Sequence, residues 1–106
     1  MVRRGEIWLV NLDPTVGSEI KKTRPCVVVS PEAMHDFLRT VIVAPMTTKG
    51  RPAPFRIAAI HAGEKGLILL DQMRSVDKMR LVRKLGIVPA KTLASTLTTL
   101  QETFAA

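Results

Sequence analysis

The run Pro25-Cys26-Val27-Val28-Val29-Ser30, followed by Val41-Ile42-Val43-Ala44, decides the fold class of this chain. β-Branched residues favour extended strands, and both runs lack the apolar–polar alternation of a strand with one wet face. We therefore predict strands at 25–30 and 41–44, and we expect the first of them to be buried on both faces. A proline follows each run, and we expect Pro31 and Pro45 to end the strands because proline cannot donate to a ladder.

Further short segments with strand character flank these two strands, at 7–12, 55–60, 67–70, 73–76 and 82–88. Residues 13–23 read as a long polar loop, and 32–38 and 77–81 as short helical turns. Short strands separated by turn signals predict a mainly β fold, either a small barrel or a sandwich. A chain of 106 residues is long enough for one domain, which we place at 1–106.

The C-terminal segment differs in kind from the rest of the chain. Leu93, Leu97, Leu100 and Phe104 recur at the spacing of one helical face, which predicts an amphipathic helix whose stripe lies on the core. Several threonines lower the intrinsic helix propensity of this segment. The helix therefore depends on packing across the β structure for its stability.

The composition points to a polyanionic partner. Sixteen Lys and Arg against nine Asp and Glu give a formal net charge of +7, which favours nucleic acid ahead of an acidic protein or a membrane surface. Only four residues are aromatic, too few for an extensive base-stacking surface. The single cysteine, Cys26, cannot form an internal disulfide, and no apolar stretch is long enough to span a membrane. We expect a cytoplasmic protein that has no membrane partner.

Several classes of site find no support in the sequence. There is no glycine-rich phosphate loop, and Cys26, His35 and His61 lack the spacing of zinc ligands. Cys26 lies within an apolar strand and is expected to be a buried, inert thiol, whereas both histidines are expected at the surface. The carboxylates are scattered, which gives no pair for glycosidase chemistry. We expect neither a metal nor a cofactor.

Polar and cationic residues gather at three strand edges, in 17–25, 44–49 and 70–78. Pro25 biases Arg24 toward an extended backbone, which would hold its guanidinium at the mouth of a strand. Residues 74–84 carry five cations against one acid, and this run is either a solvated face or a contact with nucleic-acid phosphates.

An ordered series of motifs covers nearly the whole chain: Arg4-Gly5-Glu6-Ile7-Trp8, Asp13-Pro14-Thr15, Gly17-Ser18-Glu19, Thr23-Arg24-Pro25, Val41-Ile42-Val43-Ala44-Pro45-Met46-Thr47, Pro54-Phe55, Leu70-Asp71-Gln72-Met73-Arg74 and Val76-Asp77-Lys78. The series resembles the MazF/PemK family of toxin endoribonucleases (mRNA interferases); over 83–106 only the helical character agrees. The resemblance implies a small SH3-like barrel of the CcdB/MazF type with a C-terminal amphipathic helix. It also implies a homodimer that cleaves single-stranded RNA, including mRNA, without a metal and is neutralised by a cognate antitoxin.

By the same resemblance, the catalytic arginine falls on Arg24, the catalytic threonine on Thr47 and an implicated acidic residue on Glu19. Glu19 would act as a base or would orient Arg24. Residues at the same strand edges would contact RNA, namely Ser18, Lys21, Lys22, Thr48, Lys49, Arg51, Gln72, Arg74 and Lys78. An arginine fork matches phosphate oxygens, and a threonine hydroxyl can orient the phosphate or the attacking 2′-oxygen. The expected products carry a 2′,3′-cyclic phosphate and a 5′-hydroxyl.

Two alternatives stay open at this stage. A gyrase-inhibiting toxin of the CcdB type shares the barrel and is not an enzyme, but residues 99–106 offer no Trp as an anchor for such a target. A non-catalytic RNA-binding barrel would use the same basic surface. In either case Arg24 could be a surface partner of Glu19, and Thr47 a turn former.

Overall fold

The strands and helices follow the runs of the sequence closely. The computed structural model describes residues 1–14, 16–19 and 22–106, and within these it contains seven strands, two α-helices and two short 3₁₀ turns. The strands are β1 Glu6–Asn11, β2 Thr23–Val28, β3 Thr40–Thr47, β4 Arg56–His61, β5 Glu64–Leu69, β6 Arg74–Asp77 and β7 Leu81–Ile87. The helices are α1 Glu32–His35 and α2 Ala90–Phe104, and the 3₁₀ turns are Leu70–Gln72 and Lys78–Arg80.

Strand β3 is the hub of the sheet. The strand order is β4-β5-β3-β2-β1-β7, and all the pairs are antiparallel. One edge of β3 pairs with β2, whereas the other edge pairs first with β6, over residues 40–43, and then with β5, at 46–47. This change of partner bends the sheet into a half-barrel. The predicted mainly β fold with a C-terminal helix is confirmed.

The prediction that Pro45 ends the third strand is wrong. β3 continues through Pro45 to Thr47, and Pro45 faces Cys26 of β2. On the opposite edge of β3 the pairing with β6 ends at Val43 and the pairing with β5 begins at Met46, so neither of these strands pairs with Pro45. A residue without an N–H is tolerated there because no ladder bond is lost.

The two faces of the central strands carry separate cores, as the unbroken valine run predicts. Val27 and Val29 belong to one core with Ile68 and Met46, whereas Val28 and Cys26 belong to the other. Helix α2 covers the first core, and Trp8 and Leu81 pack on the second. Both cores consist almost entirely of aliphatic side chains. The central strands are therefore rigid, because each is fixed by packing from above and below.

Helix α2 covers its core with less of the apolar stripe than predicted. Leu93 and Leu100 pack on the core, but Phe104 is 71% exposed at the end of the helix, so its predicted burial is wrong. Thr96 is instead fully buried, and its hydroxyl donates to the Thr92 carbonyl at 2.8 Å. That bond explains how a hydroxyl can lie in an apolar interface. No helix formed by the described residues has the length and apolar character needed to cross a bilayer.

The prediction that His35 lies at the surface is also wrong. His35 is 6% exposed; its Nδ1 lies 2.9 Å from the Val2 carbonyl and its Nε2 lies 2.6 Å from the Ser30 hydroxyl. The Ser30 oxygen also accepts the Ile42 N–H at 2.9 Å. A neutral ring that donates through Nδ1 and accepts through Nε2 satisfies every polar atom of this group. The network fastens the N-terminus to β3.

Glu6 is the buried anchor at the other end of the N-terminal segment. Its carboxylate accepts from the Arg3 N–H at 2.8 Å and from the Trp8 indole at 3.1 Å, and it forms an ion pair with Lys84 at 2.8 Å. Burial raises the pKa of Glu6, but these three partners outweigh burial, and the pKa lies below its usual value. Glu6 therefore ties β1 to β7 in its ionised form.

Candidate active site

The ends of β2 and β3 bring Arg24 and Thr47 together. Cys26 faces Pro45, and extension of this antiparallel register by two residues places Arg24 opposite Thr47. Both side chains are half-buried, and both line one cavity of about 220 Å³. Directly opposed residues in an antiparallel pair lie on the same face of the sheet. The predicted guanidinium and hydroxyl therefore share a cleft on two rigid strands.

The Thr47 hydroxyl is oriented by its own loop. The Lys49 N–H donates to Thr47 Oγ1 at 3.1 Å, which leaves the hydroxyl hydrogen available to an acceptor in the cleft. Thr47 is also held from behind by β5, where it pairs with Leu67. A Cβ added at Gly66 would lie 2.6 Å from the Thr47 carbonyl oxygen, so only glycine permits this approach of the two backbones.

A second cavity, of about 450 Å³, opens from the same two residues and is strongly basic. It is lined by five of the predicted RNA-contacting residues: Ser18, Thr48, Lys49, Arg51 and Gln72. Arg24 and Arg56 add two more cations, and no carboxylate is among the described residues that line this cavity. A groove of one sign concentrates a polyanion and orients it on approach.

Arg56 is a residue of this surface that the sequence analysis missed. Its guanidinium forms a two-pronged pair with Asp71, with Nε 3.2 Å and Nη2 3.0 Å from the two carboxylate oxygens. The hydrogen bond to Asp71 raises the pKa of Arg56. Arg56 Nη1 also donates to the Arg51 carbonyl at 3.1 Å, so the pair fixes the backbone of the basic loop beside Thr47. No local pattern reveals this pair, because its members lie fifteen residues apart.

Glu19 lies beside the Arg24–Thr47 cavity rather than in it. It lines a third cavity, of about 340 Å³, together with Gln72 and Arg74. Its carboxylate accepts the Val16 N–H at 2.9 Å within its own loop. Gln72 also lines the basic cavity, so the two cavities adjoin through this residue. Arg74 donates to the Leu12 carbonyl at 3.1 Å, which fixes its guanidinium at this wall.

Two of the predicted RNA-contacting residues that the structure describes do not join these cavities. Lys78 donates through its ammonium group to the His35 carbonyl at 2.6 Å, which gives it a structural contact elsewhere on the molecule. Lys22 is exposed, and its N–H donates to Asp13 at 2.8 Å. Lys21 lies outside the described residues.

Residues of the turn between β4 and β5 also line the Arg24–Thr47 cavity. His61 and Glu64 line it, and they face each other across the turn. The sequence analysis assigned His61 to the surface and gave Glu64 no role. A turn dipeptide, Ala62-Gly63, between two apolar runs marks the hairpin, but nothing local shows that the hairpin folds over the ends of β2 and β3.

Cys26 and the acidic residues do not add a metal site. Burial raises the pKa of Cys26 to about 12, and its side chain is fully buried, as predicted for an inert thiol. Within residues 1–14, 16–19 and 22–106, no group of three or more His, Cys, Asp or Glu could hold a metal ion. The groups available to the cleft are the Arg24 guanidinium, the Thr47 and Thr48 hydroxyls, the His61 imidazole and the Glu64 carboxylate, and the adjoining basic cavity adds further cations.

Comparison with known proteins identifies the family. Residues 3–104 match the model of the PemK-like, MazF-like toxins of type II toxin–antitoxin systems. The chain is 40% identical over 94 residues to endoribonuclease PemK of Escherichia coli, and this match covers 83% of this chain and 71% of that protein. It is 37% identical over 105 residues to endoribonuclease MazF9 of Mycobacterium tuberculosis, covering 89% of this chain and 88% of that protein.

The fold agrees with this relationship. The structure of MazF from Deinococcus radiodurans superposes with a TM-score of 0.83 at 29% identity, and the match covers 96% of this chain and 94% of that one. The resemblance seen in the ordered motifs is thus confirmed, and the family match reaches into the C-terminal helix, where those motifs are weakest. The chain belongs to the family of PemK-like, MazF-like toxins of type II toxin–antitoxin systems.

Proposed function

We propose that this protein is an endoribonuclease toxin that cleaves single-stranded RNA, including mRNA, without a metal. The observation that carries the proposal is the shared cavity of Arg24 and Thr47, which opens directly into a basic groove. Two relatives above 35% identity are named endoribonucleases, and both align over most of this chain. A reaction that uses the ribose as its own nucleophile needs only charge stabilisation, alignment and proton transfer from the protein.

The proposed reaction is a transesterification within the RNA. The 2′-oxygen attacks the neighbouring phosphorus and loses its proton to a base, while the bond from phosphorus to the 5′-oxygen breaks. The departing 5′-oxygen takes up a proton. One strand then ends in a 2′,3′-cyclic phosphate and the other begins with a 5′-hydroxyl, and no water is consumed in this step.

Each site residue has a role that fits its surroundings. Arg24 stabilises the charge that builds on the phosphoryl oxygens, since a guanidinium matches two such oxygens and stays protonated. Thr47 donates its hydroxyl hydrogen to the phosphate, because the Lys49 N–H already occupies one lone pair of its oxygen. Glu19, in the adjoining cavity, is the candidate proton acceptor or an orienting group for Arg24.

The family implies the partners. As a toxin of a type II toxin–antitoxin system, the protein is proposed to be neutralised by a cognate antitoxin, and an acidic peptide suits a groove lined by cations. We further propose that the chain forms one domain over 1–106 and acts in the cytoplasm. Two copies are proposed to pair as a homodimer, because pairing lengthens a groove that one small barrel keeps short.

The test is cleavage of a synthetic RNA in the presence of EDTA. Arg24→Ala and Thr47→Ala should each lower the cleavage rate by about 10²–10³, the usual loss when one charge-stabilising donor is removed. Arg83→Ala on β7 and Thr98→Ala on α2 are matched controls, since both residues are exposed and line none of the three cavities. Deoxyribose at the cleaved nucleotide should abolish cutting. Wild-type rates in both site variants would refute the assignment.

The same assay separates the alternatives. RNA that is retained on the protein without fragments would indicate a non-catalytic RNA-binding barrel. If the RNA is neither retained nor cut, the result would favour a gyrase inhibitor. Fragments that carry cyclic phosphate ends, produced in EDTA, would support the nuclease and its metal-free chemistry.

A further inference from the structure

The lining of the cavity that holds Arg24 and Thr47 includes an apolar part that phosphate chemistry does not use. Pro25, Met46 and Ala59 form this apolar part. At about 220 Å³ the cavity is smaller than the 300–1,000 Å³ clefts that bind drug-sized ligands. Such a space suits one flat ring that packs on the apolar part beside the phosphate. In single-stranded RNA that ring is a nucleobase.

Glu64 lines the same cavity, and its carboxylate has no hydrogen-bond or ion-pair partner among the described residues. Its side chain is exposed. An ionised carboxylate only accepts hydrogen bonds. A carboxylate is out of place for binding a polyanion, yet this one lines the cavity of Arg24. Its position is explained if it meets N–H groups of a base rather than phosphate oxygens.

The hairpin fixes Glu64 in place. His61 pairs with Glu64 across a two-residue turn in which Ala62 and Gly63 both have positive φ, of 52° and 77°. This pattern is that of the tight turns whose twist matches the flanking strands. Glu64 is therefore presented from the end of a regular ladder and not from a long loop.

We propose that the apolar part of this cavity is a subsite for the nucleobase next to the cleaved phosphate, and that Glu64 selects a base with an amino group on its Watson–Crick edge. The inference rests on the proposed nuclease function. Guanine offers two parallel N–H donors to a carboxylate, and adenine and cytosine offer one amino group each. Uracil presents two carbonyl oxygens that flank its single N–H and repel the carboxylate. The subsite thus favours guanine above all and disfavours uracil.

The experiment maps the cut ends that the wild-type protein leaves in a mixed transcript pool, with EDTA present. One position beside the cut should be enriched in guanine or another amino base and depleted in uracil. On short RNAs that differ only there, guanine should be cut about tenfold to a hundredfold faster than uracil, the range of one good base contact. Inosine, which lacks the guanine amino group, should fall between them.

Glu64→Gln should reduce this discrimination several-fold, because an amide can donate to uracil oxygens. Glu102→Gln, which removes the same charge from an exposed position on α2, should leave it unchanged. A wild-type enzyme that cuts RNA but prefers uracil at this position, or ignores the change from guanine to inosine, overturns the subsite while the nuclease function stands. Discrimination that survives in Glu64→Gln also overturns it. Failure of the wild-type protein to cut any RNA overturns both.

Discussion

A single methyl group added at Gly66 should lower the activity of this protein and leave it folded. Gly66 lies on β5 directly behind Thr47, where an added Cβ would lie 2.6 Å from the Thr47 carbonyl oxygen and 3.2 Å from its carbonyl carbon. Both close atoms belong to backbone, so no side chain can rotate away to relieve the contact. Gly66→Ala therefore forces the backbones of β3 and β5 apart.

The size of the effect follows from these distances. Ordinary van der Waals contact begins at 3.4 Å, so an increase from 2.6 Å requires a shift of about 0.8 Å at Thr47 or in β5. Overpacking of this kind costs about 1–3 kcal/mol, which a domain stable by about 5–15 kcal/mol survives. A displacement of about 1 Å in a catalytic group costs about 10² in rate. We expect a folded protein whose kcat is about a hundredfold lower.

Two measurements on the same samples test this expectation. Urea unfolding gives the change in stability, and cleavage at saturating RNA gives kcat. Gly86→Ala is the matched control, because a Cβ at Gly86 meets nothing within 4 Å, and it should leave both quantities near their wild-type values. If Gly66→Ala folds with wild-type stability and cleaves at the wild-type rate, the close contact at Thr47 does not position the hydroxyl that we propose to be catalytic.

Three further predictions concern other parts of the molecule. Glu6→Gln should lower the unfolding free energy at pH 7 by about 1–3 kcal/mol. Because the pKa of Glu6 is depressed, the extra stability of the wild type is complete above the ordinary carboxyl pKa near 4.5 and shrinks as the pH falls below it, which urea titrations from pH 7 to 3 would show. Cys26 should resist thiol reagents at pH 8 in the native protein and react at once in urea, because burial raises its pKa to about 12; native reactivity at the rate of a free thiol would contradict this. Ala62→Gly should raise the unfolding free energy by about 0.5–1 kcal/mol, because Ala62 holds a positive φ of 52°, and a lower urea midpoint would refute it.

The fold could be predicted from the sequence wherever local pattern decided the structure. The β-branched runs gave the central strands, and the spacing of Leu93 and Leu100 gave the helix and its contact face. The sequence misled where a distant partner decided the structure. Pro45 is tolerated because neither β6 nor β5 pairs with it, and His35 is buried because Val2 and the Ser30 hydroxyl satisfy its ring.

The candidate site also contains both residues that the sequence predicted and residues that it could not. Arg24 lies at the start of one buried strand and Thr47 at the end of the other, and antiparallel pairing of those strands brings the two residues to one cleft, so their meeting could be predicted from the order of the motifs. Arg56 and Glu64 carry no local signal. The role of Arg56 depends on Asp71, and the position of Glu64 depends on a hairpin that closes over two other strands. Such residues are found only when the tertiary contacts are known.

The place where β3 changes partners explains why a reactive cleft forms here at all. Before Pro45 the strand pairs with β2 on one edge and with β6 on the other, and its side chains pack in the two cores. Beyond Pro45 its last two residues pair with β5, and the side chain of the last one, Thr47, lines a cavity while its backbone stays paired. A hydroxyl at a frayed strand end would have to be ordered by the substrate, whereas this one is ordered by Gly66 and Lys49 before RNA arrives. Rigidity at Thr47 is thus supplied by the same switch in pairing that opens the cleft.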